Sequence, residues 1–319
     1  MGASRVLVTG ATGFVGAALV RELRRTGVDV LAVGRRDAVH ASGGRGLQIA
    51  DIGPATDWGN ALVGCDAVVH LAARVHQLHE RASDPLREFM RVNCDGTQHL
   101  ARQAAAAGVS RFVFVSSIKV NGEATTPGSS FSERDCPAPA DAYGASKAAG
   151  EAAVRAVAVA TGMQVTIVRP PLVYGPGVRA NFLSMTKWLA RGVPLPLGGV
   201  VENRRSLVAL DNLVSMLAVA LRHPAAANET FLVSDGEDVS TTELLRRTAR
   251  ALGVTPRLLA VPPALLRFAA VIAGKGEMAQ RLCGSLQVDC SKARALLDWS
   301  PPIGLDEGLR RTVAGTVDP

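Results

Sequence analysis

The chain has 319 residues, 48% of them hydrophobic, which is ample for a large core and argues against disorder. Lys and Arg exceed Asp and Glu by 35 to 28, yet the basic residues are scattered in runs no longer than pairs, and 4% aromatics leave little stacking surface, so nucleic-acid binding is not expected. Five cysteines without a CxxC pair or a Cys/His cluster point to reduced thiols in a cytoplasmic protein without a metal; the apolar run Ala264–Ala273 is too short to span a bilayer and contains Arg267, so no membrane insertion is expected.

In chain order, short continuous apolar runs at Arg5–Val8, Val30–Val33, Gly46–Ile49, Ala67–Leu71, Arg111–Val115 and Val165–Val168 read as strands. Between them, Val15–Thr26, Pro85–Ala107 and Ala142–Ala160 carry apolar residues at three- and four-residue spacing and read as helices, two of them stopped by Gly27 and Gly108. This alternation predicts an α/β fold with a Rossmann-type, doubly wound parallel sheet over residues 1–170. Beyond Arg169-Pro170-Pro171 the regularity falls away. A smaller, discontinuous substrate cap is expected over 171–205 and 223–319, with the strand Ser206–Leu210 and the helix Asp211–Arg222 returning to the main sheet's flank.

Directly after the first strand, Gly10, Gly13 and Gly16 lead into an apolar helix pattern. Gly10 permits a tight turn, Gly13 lets the backbone approach a phosphate, and Gly16 lets helix and strand pack closely, so the turn is expected to cradle a dinucleotide at a helix N-terminus. At the end of the second strand Gly34-Arg35-Arg36 stands where a carboxylate would accept from a ribose 2′-hydroxyl. Two guanidiniums there favour NADP(H), with NAD(H) as the alternative. Asp51, after the third strand, is placed to accept from an adenine amino group.

Tyr143 and Lys147 lie four apart on a helix and so share one face. The ammonium is expected to lower the phenol's pKa, so that Tyr143 exchanges a proton with a substrate oxygen. Ser116-Ser117, at the carboxyl end of the fifth strand, supply a hydroxyl on the edge where open α/β sheets place their chemistry.

These segments, with His70-Leu71-Ala72-Ala73, Asn93 and Arg169-Pro170-Pro171-Leu172-Val173-Tyr174-Gly175-Pro176-Gly177, resemble the extended short-chain dehydrogenase/reductase family over nearly the whole chain. The resemblance implies that Tyr143 is the proton donor or acceptor, that Lys147 also holds the nicotinamide ribose, and that Ser117 rather than Ser116 bonds the reacting oxygen. It implies cofactor contacts from Thr12, Phe14, Val15, Ile52, Leu71, Ala72, Ala73, Asn93, Ser116, Pro170 and Val173. A UDP-sugar substrate is implied, held by Lys119, Asn181, Arg205 and Arg281. Asn121, where sugar epimerases of this family commonly have Tyr, and Arg74-Val75-His76 look like bacterial reductases of UDP-4-keto-6-deoxy-N-acetylhexosamines that supply surface-polysaccharide sugars. The resulting expectation is hydride transfer to a C4 keto group. A UDP-hexose 4-epimerase with tightly bound NAD is the alternative, and a non-catalytic dinucleotide sensor a weaker one. Helices Pro85–Ala107 and Ala142–Ala160 could form a homodimer seam. His76 and His79, three apart, have no third ligand nearby in the sequence, so a loop is expected there rather than a metal site.

Overall fold

The computed structural model describes residues 5–35, 44–75, 84–178 and 180–315, with 180 and 181 by backbone alone. The strands are β1 (Arg5–Thr9), β2 (Asp29–Gly34), β3 (Gly46–Gln48), β4 (Ala67–His70), β5 (Arg111–Val115), β6 (Gln164–Arg169), β7 (Leu172–Tyr174), β8 (Arg205–Ala209), β9 (Thr230–Leu232) and β10 (Asp238–Val239). Seven form a sheet in the order β3-β2-β1-β4-β5-β6-β9, every pair parallel. The order reverses between β1 and β4, which opens a crevice beyond their carboxyl ends.

Both faces of this sheet are covered, which explains why its strands read as unbroken apolar runs. From β1, Val6 and Val8 point to one side, where they meet Leu19, Val20 and Leu23 of helix α1 (Phe14–Arg25), and Leu7 points to the other. On that second side lie α2 (Thr97–Ala106), contributing Leu100, Ala101 and Ala104, and α3 (Ala142–Thr161), contributing Val154 and Val157.

The helix expected over 85–107 is present and unbroken, with a π-helical turn Arg91–Gly96 set between Pro85–Met90 and α2. Another expectation changes. The segment expected to return to the main sheet divides: helix α4 (Leu210–Arg222) packs Leu213, Val214 and Leu217 beside Leu19 and Leu23, but β8 leaves the main sheet. It pairs instead with β7 and β10 in a separate three-stranded sheet. The strand that completes the main sheet is β9, within the range assigned to the cap, where Phe231 lies opposite Val168. Three residues are too short a run to show a period, so only tertiary pairing reveals that strand.

Candidate active site

The glycine turn is built as close approach demands. Gly10 has φ +68°, and a side-chain carbon there would meet the Ala72 nitrogen at 2.9 Å. A side-chain carbon on Gly16 would stand 2.1 Å from the Gly10 carbonyl oxygen. Gly13 is the N-cap of α1, with no side-chain cap and no acid in the first turn, so nothing on that helix competes with a phosphate for its positive end. These features fit a dinucleotide pyrophosphate. Leu71, Ala72 and Ala73 follow β4 beside the turn, and the Thr9 hydroxyl accepts from the Leu71 and Ala72 amides at 3.2 Å each. With both lone pairs engaged, Thr9 donates to His70 Nδ1 at 2.7 Å, which leaves Nε2–H to donate to Thr97 at 3.0 Å. Burial, with Lys147 nearby, pushes His70 down to about 3, so this clamp is neutral.

At the carboxyl end of β5 the two serines part company. Ser116 donates to Glu151 at 2.5 Å and is buried, so its hydroxyl is committed to the interior. Ser117 stands near enough to Tyr143 to favour the ionised phenol, and the Tyr143 ring edge packs on Phe89 at 6.1 Å. Asp141 caps α3 by accepting from Gly144 at 2.7 Å, which starts the helix one turn before Lys147.

The lysine differs from expectation. Its Nζ donates to the Val115 carbonyl at 2.7 Å and sits 4.0 Å over the Phe114 ring. Burial pushes Lys147 down to about 7, against the pull of Glu151. Tyr143 is pushed up to about 12, first by burial and then by Asp141, with Ser117 opposing. The phenol is therefore not lowered as the spacing suggested: the ammonium is turned onto a backbone carbonyl and is only partly charged near neutrality.

Beneath the serines, Glu151 binds Arg169 through both oxygens, and Arg169 donates to Asn121 at 2.9 Å. Asn121 in turn donates to the Ser132 carbonyl at 2.7 Å, so this residue is a structural tie at the base of the loop. Glu151 was not singled out by sequence, although its place four residues after Lys147 puts 143, 147 and 151 on one helical face. Asn93 lies in the π-helical turn, where its amide donates to Ser146 at 2.9 Å and to the Arg74 carbonyl at 3.0 Å, while its oxygen accepts from the Arg74 nitrogen. Ser146 donates to the Tyr143 carbonyl at 2.8 Å, so Asn93 acts on α3 through that hydroxyl.

On the cap side, Lys119 is engaged by Asp141 and by Glu123, the latter at 2.8 Å, and so does not present a free ammonium. Arg205 donates to the Arg281 carbonyl at 2.6 Å, and its own charge is disfavoured by burial and by Arg281 but favoured by Glu123. Lys119 and Glu123 thus pair at the serine loop, and Glu123 favours the charge of Arg205, which bonds the Arg281 carbonyl in the cap. Asn203, also missed by sequence, braces it by donating to Thr241 and Gly284 and accepting from the Thr241 nitrogen. Asp51, assigned to adenine, is paired through Oδ2 with Arg91 at 2.8 Å. Ile52 is buried beside it, Pro170 accepts from Ile118 at 3.0 Å, and Val173 belongs to β7. Arg35 is exposed just after β2; Arg36, His76, His79 and the Asn181 side chain lie outside the described residues. Among the described residues no group of three His, Cys, Asp or Glu could hold a metal ion.

A model of the family described as "NAD dependent epimerase/dehydratase family" matches residues 6–234. The chain is 43% identical over 307 residues to a UDP-glucose 4-epimerase of Vibrio cholerae, covering 96% of this chain and 94% of that protein. It is 31% identical over 327 residues to a ceramide reductase of Caulobacter vibrioides (strain NA1000 / CB15N), covering 97% and 93%. Among solved structures, MoeE5 in complex with UDP-glucuronic acid and NAD superposes with a TM-score of 0.78 at 28% identity, covering 98% of this chain and 99% of that one.

Proposed function

This chain belongs to the NAD dependent epimerase/dehydratase family, and we propose that it is a UDP-hexose 4-epimerase. The observation that carries the proposal is the approach of Ser117 to Tyr143 at the carboxyl edge of the sheet, with the glycine turn at the other end of the same crevice. The 43% identity to an epimerase over nearly all of both chains supports the same reading.

In this reading Gly10, Gly13 and Gly16 hold the pyrophosphate of NAD, and Lys147 turns from Val115 to the nicotinamide ribose. A bound nicotinamide would take a hydride from C4 and return it to the opposite face of the sugar. With Lys147 turned from Val115, its ammonium would favour the Tyr143 phenolate, whose Oη accepts the C4 hydroxyl proton as the keto group forms and gives it back afterwards. Ser117 Oγ holds the same oxygen, so the proton moves along a fixed line. Arg205 and Arg281, brought together in the cap, bind the UDP diphosphate through charge-assisted hydrogen bonds.

A second reading is an NADPH-dependent reductase of a UDP-4-keto-6-deoxy-N-acetylhexosamine. Arg35, just beyond β2 where a 2′-hydroxyl reader would carry an acid, supports it. The test is incubation of the purified protein with UDP-glucose and with UDP-N-acetylglucosamine, without added dinucleotide. Formation of the C4 epimer is the expected result. No epimer, together with NADPH consumption on the 4-keto-6-deoxy substrate, would replace the first reading by the second.

A further inference from the structure

Helix α5 (Pro263–Ile272) is made almost wholly of apolar residues with the single charge Arg267, yet none of its residues is buried. Leu265, Phe268, Val271 and Ile272 follow helical spacing and are 58, 66, 69 and 72% exposed. A helix apolar on nearly every side belongs against another apolar surface, because leaving several large side chains in water opposes the main driving force of folding. The element is not a loose end. Arg267 donates to the Cys283 carbonyl at 3.2 Å, and the following helix α6 (Gly276–Cys283) buries Ala279 and Cys283.

The charge around the stripe selects its partner. Between residues 255 and 281 stand Arg257, Arg267, Lys275 and Arg281 against the one acid Glu277. Arg257 and Lys275, which flank α5 in the sequence as a basic rim, are exposed. A second copy of this chain docking through the same face would set that basic rim against itself, since a two-fold interface repeats each patch on both sides. An anionic lipid surface instead offers hydrocarbon for Leu265, Phe268, Val271 and Ile272 and negative headgroups for the rim. No helix among the described residues is long and apolar enough to cross a membrane, and α5 needs only to lie in the interface.

We propose that helix α5 docks this protein on anionic phospholipid bilayers, with the Leu265–Phe268–Val271–Ile272 stripe in the headgroup–acyl boundary.

The experiment is co-sedimentation of the full chain with vesicles of phosphatidylcholine alone or mixed with phosphatidylglycerol, beside a Phe268→Ser/Val271→Ser double variant. Both side chains are mostly exposed, so the variant keeps its fold. Binding to phosphatidylglycerol vesicles, weaker on neutral ones and in high salt, and reduced by roughly tenfold or more in the variant, is expected. Failure to bind phosphatidylglycerol vesicles, or unchanged binding by the variant, overturns the proposal. So does a dimer in sedimentation velocity that dissociates on the double substitution while vesicle binding is absent, which would assign the stripe to a second copy.

Discussion

Glu151 grips Arg169 with both carboxylate oxygens, at 2.8 Å from Nε and 2.6 Å from Nη2, and both side chains are buried below the floor of the candidate site. Ser116 and Asn121 complete the remaining bonds, so the cluster ties β5, β6, α3 and the loop after Ser117 to one another. A buried ion pair is costly to half-remove, since the surviving charge has no compensation. Glu151→Leu and Arg169→Met are therefore each expected to destabilise the fold by about 3 kcal/mol, and the double variant by less than the sum of the two. Urea unfolding of the two singles and the double measures this; additive losses would remove the cluster's claim to act as a unit.

The two serines separate by function in a paired substitution. Ser117→Ala and Tyr143→Phe should each lower turnover by about a hundredfold or more while leaving dinucleotide affinity nearly unchanged. Ser116→Ala should act instead on stability, because it leaves Glu151 one hydrogen bond short. Turnover and unfolding midpoints of the three variants, measured side by side, check the division. A Ser116→Ala protein as inactive as Ser117→Ala but equally stable to wild type would reverse it.

Lys147 gives the protein a pH signature. Burial holds it at about 7 in the fold against an ordinary 10.5, so between those values the unfolded chain carries a proton that the folded chain does not. Stability should therefore rise with pH across that window, by at most about 1.4 kcal/mol per unit from this group. Tyr143, pushed up to about 12, acts oppositely, and only above its ordinary 10, where the unfolded chain loses its proton first. Comparing unfolding curves of wild type and Lys147→Met from neutrality to about pH 8.5 isolates the lysine, because the difference between them should grow with pH.

Gly16 permits the closest approach in the turn. Adding a methyl group there drives a carbon to 2.1 Å from the Gly10 oxygen and must push α1 away from β1. About 2 kcal/mol of overpacking strain is expected, with dinucleotide affinity reduced by roughly tenfold or more. Fluorescence titration of Gly16→Ala with NADH reads the affinity, and wild-type binding by that variant would show that the turn does not hold the pyrophosphate.

By itself the sequence determined the elements whose signal is local. Six runs of apolar residues became β1 to β6 with shifts of a residue or two at the ends, because strands covered on both faces must be apolar throughout. The glycine spacing foretold the turn, since φ at Gly10 and contact at Gly16 leave no room for another residue. What tertiary structure decided depends on partners distant in sequence. Thr230–Leu232 is a strand only because β6 offers an open edge, and the strand Arg205–Ala209 joined β7 and β10 rather than the main sheet. Asn121, Glu151 and Arg169 make their bonds across 18 to 48 residues of chain, so their roles have no local pattern to betray them. Even the Tyr143–Lys147 spacing, which sequence read as a pair that lowers the phenol, met a carbonyl at Val115 that draws the ammonium aside. Local periodicity and glycine geometry reside in neighbouring residues; the protonation state of a buried group is set by whatever the fold brings beside it.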